Sequence, residues 1–167
     1  LHIHGSLFAG QRVLIHGGAG GVGSFAVQLA KHFGAETIAT TSALNARFVK
    51  ELGADRVIDY TDEPFDSFIY DVDLVLDTRR DTRALMERTE ASCFHRGEAL
   101  AGKRSRAGAR AIYFIVEPTR DHLAQLGKFA DDGWFQPIVS AVFRLERDAY
   151  KLGLQGHHRG KIVLRVD

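Results

Sequence analysis

Cysteine is nearly absent: Cys93 stands alone among 167 residues. An intrachain disulfide is therefore excluded, and nothing points to an oxidising compartment. Charge of one sign is missing too. Twenty-two Lys and Arg face 21 Asp and Glu, for a formal net charge of +1. No global field calls for nucleic acid or an anionic membrane surface. No apolar run approaches the ~20 residues that a membrane span needs, and the N-terminus shows no signal-peptide pattern. Internal repeats and low-complexity tracts are also lacking. These absences leave a cytoplasmic protein as the expectation, with neither membrane nor nucleic acid as partner. The first residue is Leu1 rather than Met, which reads as a chain cut from something longer.

What is present suits one packed domain: 45% of residues are apolar and 26% charged. Apolar runs alternate with amphipathic stretches. Arg12 to His16 reads as a buried strand and Glu36 to Thr40 as a second. Arg56 to Asp59, Asp73 to Asp77, Ala111 to Val116 and Lys161 to Val166 continue the series. Between them, Ser24 to Phe33 reads as a helix with Phe25, Leu29 and Phe33 on one face, and Gly34 stops it. Ala43 to Leu52 is a second helix, closed by Gly53. Thr119 to Asp132, with Thr119 as N-cap, and Arg147 to Leu154 are later ones. Strand–helix alternation with continuously apolar strands predicts an α/β fold, a doubly wound parallel sheet of Rossmann type.

Arg79 to Arg110 breaks the pattern. It is rich in Arg and Glu and offers no convincing strand where such a sheet needs its fifth. A disrupted or missing fifth strand is the expectation. The basic run Lys103-Arg104-Ser105-Arg106 has no aromatic platform beside it and reads as a solvated loop.

Gly18-Ala19-Gly20-Gly21-Val22-Gly23 matches G-x-G-x-x-G. Alone the pattern is weak, but here it follows an apolar strand and opens a helix. Gly18 would allow the tight turn off the strand. Gly20 would let the backbone approach a pyrophosphate, and Gly23 would let the helix pack closely. The helix N-terminus would offer N–H groups and a positive dipole end to the anion. NAD sites usually carry an Asp or Glu at the end of the second strand. Here that strand runs into Thr40-Thr41-Ser42, without an acid. A carboxylate would repel a 2′-phosphate, whereas hydroxyls and a nearby cation would accept it. NADPH is therefore the expected cofactor, with Thr41, Ser42 and Arg47 as candidates. Thr41 and Ser42 also have a plain role open to them as helix caps.

Three stretches carry a resemblance to a known family. They are the run Gln11 to Gly23, the run Glu51-Leu52-Gly53-Ala54-Asp55-Arg56-Val57-Ile58-Asp59-Tyr60, and the tail Gly156 to Leu164. Together they resemble the quinone oxidoreductase branch of the medium-chain dehydrogenase/reductase superfamily, allied to zinc-type alcohol dehydrogenases. The resemblance implies NADPH-dependent reduction of a small quinone or activated enone. It implies that Ser42 touches the 2′-phosphate and that Tyr60 lies near it. It also implies that the turn His157-His158-Arg159 closes over the cofactor. Some relatives have a lysine where Asn45 stands, with Arg47 as a substitute here. The family's N-terminal barrel-like domain, which forms much of the substrate pocket, is not in residues 1–167. Catalytic residues therefore stay unassigned. Cys93 and His95 lack metal-ligand spacing, so no metal is assigned. A homodimer is the assembly kept open.

Relatives follow the fourth strand with a glycine pair, a helix, a Lys-Pro-Gly turn and an apolar strand. Codons compatible with Leu85-Met86-Glu87-Arg88-Thr89-Glu90-Ala91, read one base later, spell Ser-Trp-Asn-Val-Leu-Lys-Pro. Methionine followed by any Glu codon forces that tryptophan. The same shift makes Cys93 to Glu98 apolar. Arg79 to about Arg106 thus reads as a frame-shifted segment, with a helical insertion at Thr82 to Ser92 as the alternative. A non-catalytic dinucleotide-binding module and a degenerate fragment stand as rivals to an oxidoreductase domain.

Overall fold

The computed structural model describes residues 5–62, 72–77, 92–95, 111–113, 119–144, 147–156 and 158–166. Along the chain run β1 (Arg12–Ile15), α1 (Gly23–His32), β2 (Glu36–Thr41), α2 (Ala43–Glu51), β3 (Arg56–Asp59) and β4 (Leu74–Leu76). Then come β5 (Ser92–His95), β6 (Ala111–Tyr113), α3 (Arg120–Asp131), β7 (Val139–Arg144), α4 (Arg147–Gln155) and β8 (Lys161–Arg165). Six strands form one parallel sheet in the order β3-β2-β1-β4-β5-β6. The order reverses between β1 and β4, which is the doubly wound arrangement expected. Among the described residues, no helix is long and apolar enough to cross a membrane.

Burial explains why the central strands read as unbroken apolar runs. Val13, Leu14 and Ile15 are all fully buried, so both faces of β1 are covered. Val13 and Ile15 join Val27, Ala30, Ala39, Val49 and Leu74 in one cluster. Leu14 and Val75 are buried outside that cluster, as the two-residue period of a strand requires. Helix α1 ends at Gly34 (φ +74) and α2 at Gly53 (φ +111), the left-handed closures that the glycines announce. The Thr119 hydroxyl accepts the His122 N–H at 3.2 Å and caps α3 as expected.

Three expectations are corrected. The fifth strand is neither missing nor disrupted: β5 fills its place, with Leu74 beside Ser92 and Cys93 beside Ala111. The short stretch Ser-Cys-Phe-His has no local strand signal. Pairing with a strand on either side defines it, and such tertiary context overrides propensity. The rest of 79–110, with the frame-shift reading and the alternative helix, lies outside the described residues, as do 114–116 of the strand expected to reach Val116. The second correction is β7, which the sequence reading omitted. It pairs in parallel with β8 as a separate two-stranded sheet, so the last strand stands apart from the main sheet. Its Val139 and Val142 are exposed, and although half-buried Ala141 and Phe143 alternate with exposed neighbours, none of its residues is fully buried.

The third correction concerns the glycine turn. Gly17, not Gly18, takes the left-handed conformation (φ +71). Gly18 is needed for closeness, because a Cβ there would lie 2.9 Å from Ala39 Cβ and 3.0 Å from Val49 Cγ1. A Cβ on Gly23 would overlap the Gly17 carbonyl group and stand 2.8 Å from Gly18 Cα. Helix α1 can thus start where it does only with glycine at 23. Gly23→Ala is expected to destabilise the domain by roughly 1–3 kcal/mol. Gly127 in α3 has nothing within 4 Å of an added Cβ, so Gly127→Ala should stabilise by about 0.5–1 kcal/mol. Urea denaturation of both variants measures the contrast, and equal effects would contradict it.

Asp55 joins α1 to β2. Its carboxylate accepts Lys31 Nζ at 2.7 Å and the Thr37 N–H at 2.9 Å. Burial opposes the ionised form, but the Lys31 ammonium and the backbone N–H groups outweigh it, so the pKa lies below the ordinary 3.8. A depressed folded-state pKa contributes stability above the unfolded value that is lost as pH falls through the folded one. The pair is partly exposed and screened, so Asp55→Asn should cost less than about 1 kcal/mol at neutral pH. That difference from the parent should vanish well below pH 3.8, as acid titrations of both proteins would show.

Candidate functional site

Because β1, β2 and β3 are parallel, Ile15, Thr41 and Asp59 end on the same edge of the sheet. The glycine turn starts there, beside the switch between β1 and β4, where the His16 N–H meets the Leu76 carbonyl at 2.9 Å. Thr40 fastens the turn. Its hydroxyl accepts the Gly17 N–H at 3.2 Å and its carbonyl accepts the Gly18 N–H at 2.9 Å. The Gly20 N–H returns to the Gly17 carbonyl at 3.0 Å. Helix α1 then begins without a side-chain cap on Val22 and without an acid in its first turn. Among the described residues, the N–H groups of Gly21, Val22 and Gly23 have no backbone acceptor. They are the unsatisfied donors of a helix start, gathered at its positive end. The fully buried Ser24 hydroxyl behind them also lacks a partner among the described residues.

The second part of the edge is the start of α2. Ser42 occupies the N-cap position in extended conformation, but its side chain makes no capping hydrogen bond. The simple capping role therefore does not account for its hydroxyl. Thr41 is buried at the end of β2, and its carbonyl accepts the Tyr60 N–H at 3.2 Å. This brings Tyr60 beside the Thr41–Ser42 corner. The nearest acid belongs to β3 rather than β2. Asp59 accepts both the hydroxyl (2.7 Å) and the N–H (2.9 Å) of Thr61. These bonds, together with the Ala43 N–H at the start of α2, hold its carboxyl below the ordinary carboxylate range.

The chain's far end closes over both parts. The Gly160 N–H meets the Ala19 carbonyl at 2.9 Å. Arg159 Nε donates to Asn45 Oδ1 at 2.8 Å, and its Nη2 donates to the Leu44 carbonyl at 3.2 Å. The guanidinium also lies 5.0 Å from the centre of the Phe48 ring. His158 is half-buried, with its Nδ1 enclosed and unpartnered among the described residues. His157 lies outside the described residues.

The structure thus gathers Gly18 to Gly23, Thr41, Ser42, Asn45, Tyr60, His158 and Arg159 along one edge. It does not bring Arg47 there. That side chain runs along the exposed face of α2 to Glu51 at 2.8 Å, an i,i+4 pair. The cation at the α2 N-terminus comes from Arg159 instead, and Asn45 is its anchor. Sequence reading also passed over Lys161, whose side chain covers Gly21. Its only signal was adjacency to the basic turn. Among the described residues, no three His, Cys, Asp or Glu side chains form a group that could hold a metal ion.

Known proteins share this fold. A quinone oxidoreductase from Coxiella burnetii superposes with a TM-score of 0.85 at 33% identity, over 98% of this chain and 55% of that one. "NAD(P)H oxidoreductase RTN4IP1, mitochondrial" of Danio rerio is 30% identical over 193 residues, covering 95% of this chain and 50% of its own. "NADPH-dependent alkenal/one oxidoreductase, chloroplastic" of Arabidopsis thaliana is 32% identical over 164 residues, 93% of this chain and 41% of its own. The chain spans about half the length of the curated relatives it matches. The family model of zinc-binding dehydrogenases matches residues 52–164. With fold, sequence and family model in agreement, the chain belongs to the zinc-binding dehydrogenase family of the medium-chain dehydrogenase/reductase superfamily.

Proposed function

We propose that this chain is the NADPH-binding domain of an oxidoreductase that reduces quinones or activated enones. A separate domain would hold the substrate. The observation that carries the reading is the edge itself. An uncapped, acid-free helix start presents the Gly21 to Gly23 N–H groups beside a corner holding the Ser42 hydroxyl and the Arg159 guanidinium. A pyrophosphate suits the first part, because a Cβ on Gly20 would meet only the Gly17 carbonyl, at 3.3 Å. A 2′-phosphate suits the second. Arg159 makes two hydrogen bonds, to Asn45 and Leu44, and a guanidinium has further donors in the same plane. The nearby Asp59 is engaged by Thr61 and the α2 N-terminus. Tyr60 and His158 complete the rim.

When bound, the cofactor supplies the hydride. The chain's own residues bind and orient it: the α1 start holds the pyrophosphate, and Ser42 with Arg159 selects the phosphorylated ribose. The family name implies zinc, but the described residues offer no seat for it, and the reading uses none. A second reading, a dinucleotide-binding module without turnover, draws on the same edge. The relatives' greater length favours an enzyme half.

Calorimetry should show NADPH binding more tightly than NADH, and Gly20→Asp should abolish both by filling the cradle with a like charge. Arg159→Met should weaken NADPH by about tenfold, the value of a charge-assisted hydrogen bond, and leave NADH little changed. Equal or tighter NADH binding by the parent would overturn the cofactor assignment.

Residues 1–167 alone should bind NADPH yet show no quinone or enone reduction above background, since rate enhancement requires an acceptor held against the nicotinamide. Steady-state assays with several quinones and enones at saturating NADPH test this. Robust turnover would show a complete active site in this chain.

A further inference from the structure

We propose that Asp59 is a specificity-determining residue of the dinucleotide site: from the end of β3 it sets a negative charge against the 2′-phosphate and so limits the preference for NADPH. This rests on the dinucleotide reading above and names what moderates its selectivity. NAD sites usually carry their acid at the end of the second strand, where this chain has Thr40-Thr41-Ser42. The acid missing from β2 stands one strand away. Thr41 and Asp59 are register partners in the parallel pair of β2 and β3, and neighbouring strands lie about 4.8 Å apart. A carboxylate therefore stands at the same level of the sheet, beside the Thr41–Ser42 corner.

Its hydrogen bonds fix the carboxylate at that corner. The N–H of Ala43, the first residue of α2, donates to it. Asp59 thus serves the helix start that the Ser42 side chain leaves uncapped. Thr61 donates to Oδ1 twice, through its hydroxyl at 2.7 Å and its N–H at 2.9 Å. This is the local turn that an aspartate forms with the residue two places on. Between them, the Tyr60 N–H meets the Thr41 carbonyl at 3.2 Å. Rotating the carboxylate out to solvent would forfeit the bonds to both Thr61 and Ala43.

None of these donors carries a charge. They favour the ionised carboxylate, holding its pKa below the ordinary 3.8, but they do not neutralise it. The ion pairs among the described residues take Glu36, Asp55, Glu51 and Asp148 as their acids, and Asp59 is in none of them. The start of α2 therefore carries two opposed charges. Arg159 is fastened there through Asn45 and the Leu44 carbonyl, and Asp59 through the Ala43 N–H. A 2′-phosphate would be drawn by the first and repelled by the second. NADH brings no phosphate to that corner, so the repulsion falls on NADPH alone. The cofactor preference is then a difference between two effects and smaller than the attraction by itself.

The test is isothermal calorimetry of the parent chain and Asp59→Asn with NADPH, NADH and adenosine 2′-monophosphate, at low and at high salt, with circular dichroism as the fold control. Asparagine keeps the shape and an acceptor oxygen for Thr61 and Ala43, and it caps helices as well as aspartate does. Only the charge is removed. At low salt, Asp59→Asn should bind NADPH and the 2′-monophosphate about tenfold more tightly, with NADH changed by less than about twofold. High salt should shrink the gain, because it screens an exposed charge. Loss of a merely structural bond would not discriminate between the two dinucleotides. Asp59→Ser replaces the asparagine variant if that one does not fold. An unchanged ratio of NADPH to NADH affinity in a folded variant would overturn the assignment while leaving the cofactor reading intact. So would a loss of NADH affinity with NADPH unchanged, the mark of a carboxylate that accepts from the ribose hydroxyls. A parent that prefers NADH, with a variant shifted toward NADPH, would overturn the NADPH reading and support the role of Asp59. A parent chain that binds neither dinucleotide would overturn both.

Discussion

Thr40 accepts the Gly17 N–H on its hydroxyl and the Gly18 N–H on its carbonyl, and the same hydroxyl lies 3.2 Å from His16 Nδ1. Thr40 and His16 are buried, 1% and 3% exposed, and Gly17 is half-buried. In such a place water cannot replace a lost partner, so each bond resists exchange. The bonds join the end of β2 to the turn that leaves β1. They draw Gly18 into the space beside Ala39 and Val49, where a side chain would not fit. They also set the direction in which the chain enters α1, and hence where the first N–H groups of that helix point. A hydroxyl near the end of β2 thus positions a helix start that it does not touch.

A second fastening comes from the other end of the chain. Gly160 on Ala19 and Arg159 on Asn45 hold the start of β8 across both helix N-termini. The two attachments differ in kind. The first is a backbone hydrogen bond that any residue able to adopt the left-handed conformation of Gly160 could make, were it not for the crowding by Ile138. The second depends on side-chain identity. Asn45 is 7% exposed, and its amide oxygen receives a charged donor, a stronger bond than a neutral pair would make. The cation at the α2 N-terminus thereby becomes part of the tertiary structure rather than a property of α2. Arg47, on α2 itself, is turned to Glu51 on the solvent face, where ion pairs add little.

Much of this architecture was legible in local sequence. Apolar runs marked β1, β2 and β4 because burial on both faces leaves no polar alternation. Gly34 and Gly53 marked helix ends because few other residues adopt their positive φ. The glycine motif between strand and helix marked the turn. The failures share a cause. Strand β5 has the sequence Ser-Cys-Phe-His and is defined by its neighbours' hydrogen-bonding edges. Strand β7 is mostly exposed and, among the described residues, pairs with β8 alone. Neither carries a fully buried apolar run of the kind that marked β1 and β2.

The sequence by itself determined the strand–turn–helix that begins at Arg12, the absence of an acid at Thr41 and Ser42, and the family that these motifs denote. Each is written in residues close together in the chain, where spacing alone sets backbone conformation and charge. The tertiary structure decided which cations meet that edge and why its glycines are needed. Gly21 yields to Lys161 and Asn45 holds Arg159. Those contacts join the two ends of the chain, and their distances depend on how the whole sheet and its C-terminal strap come together.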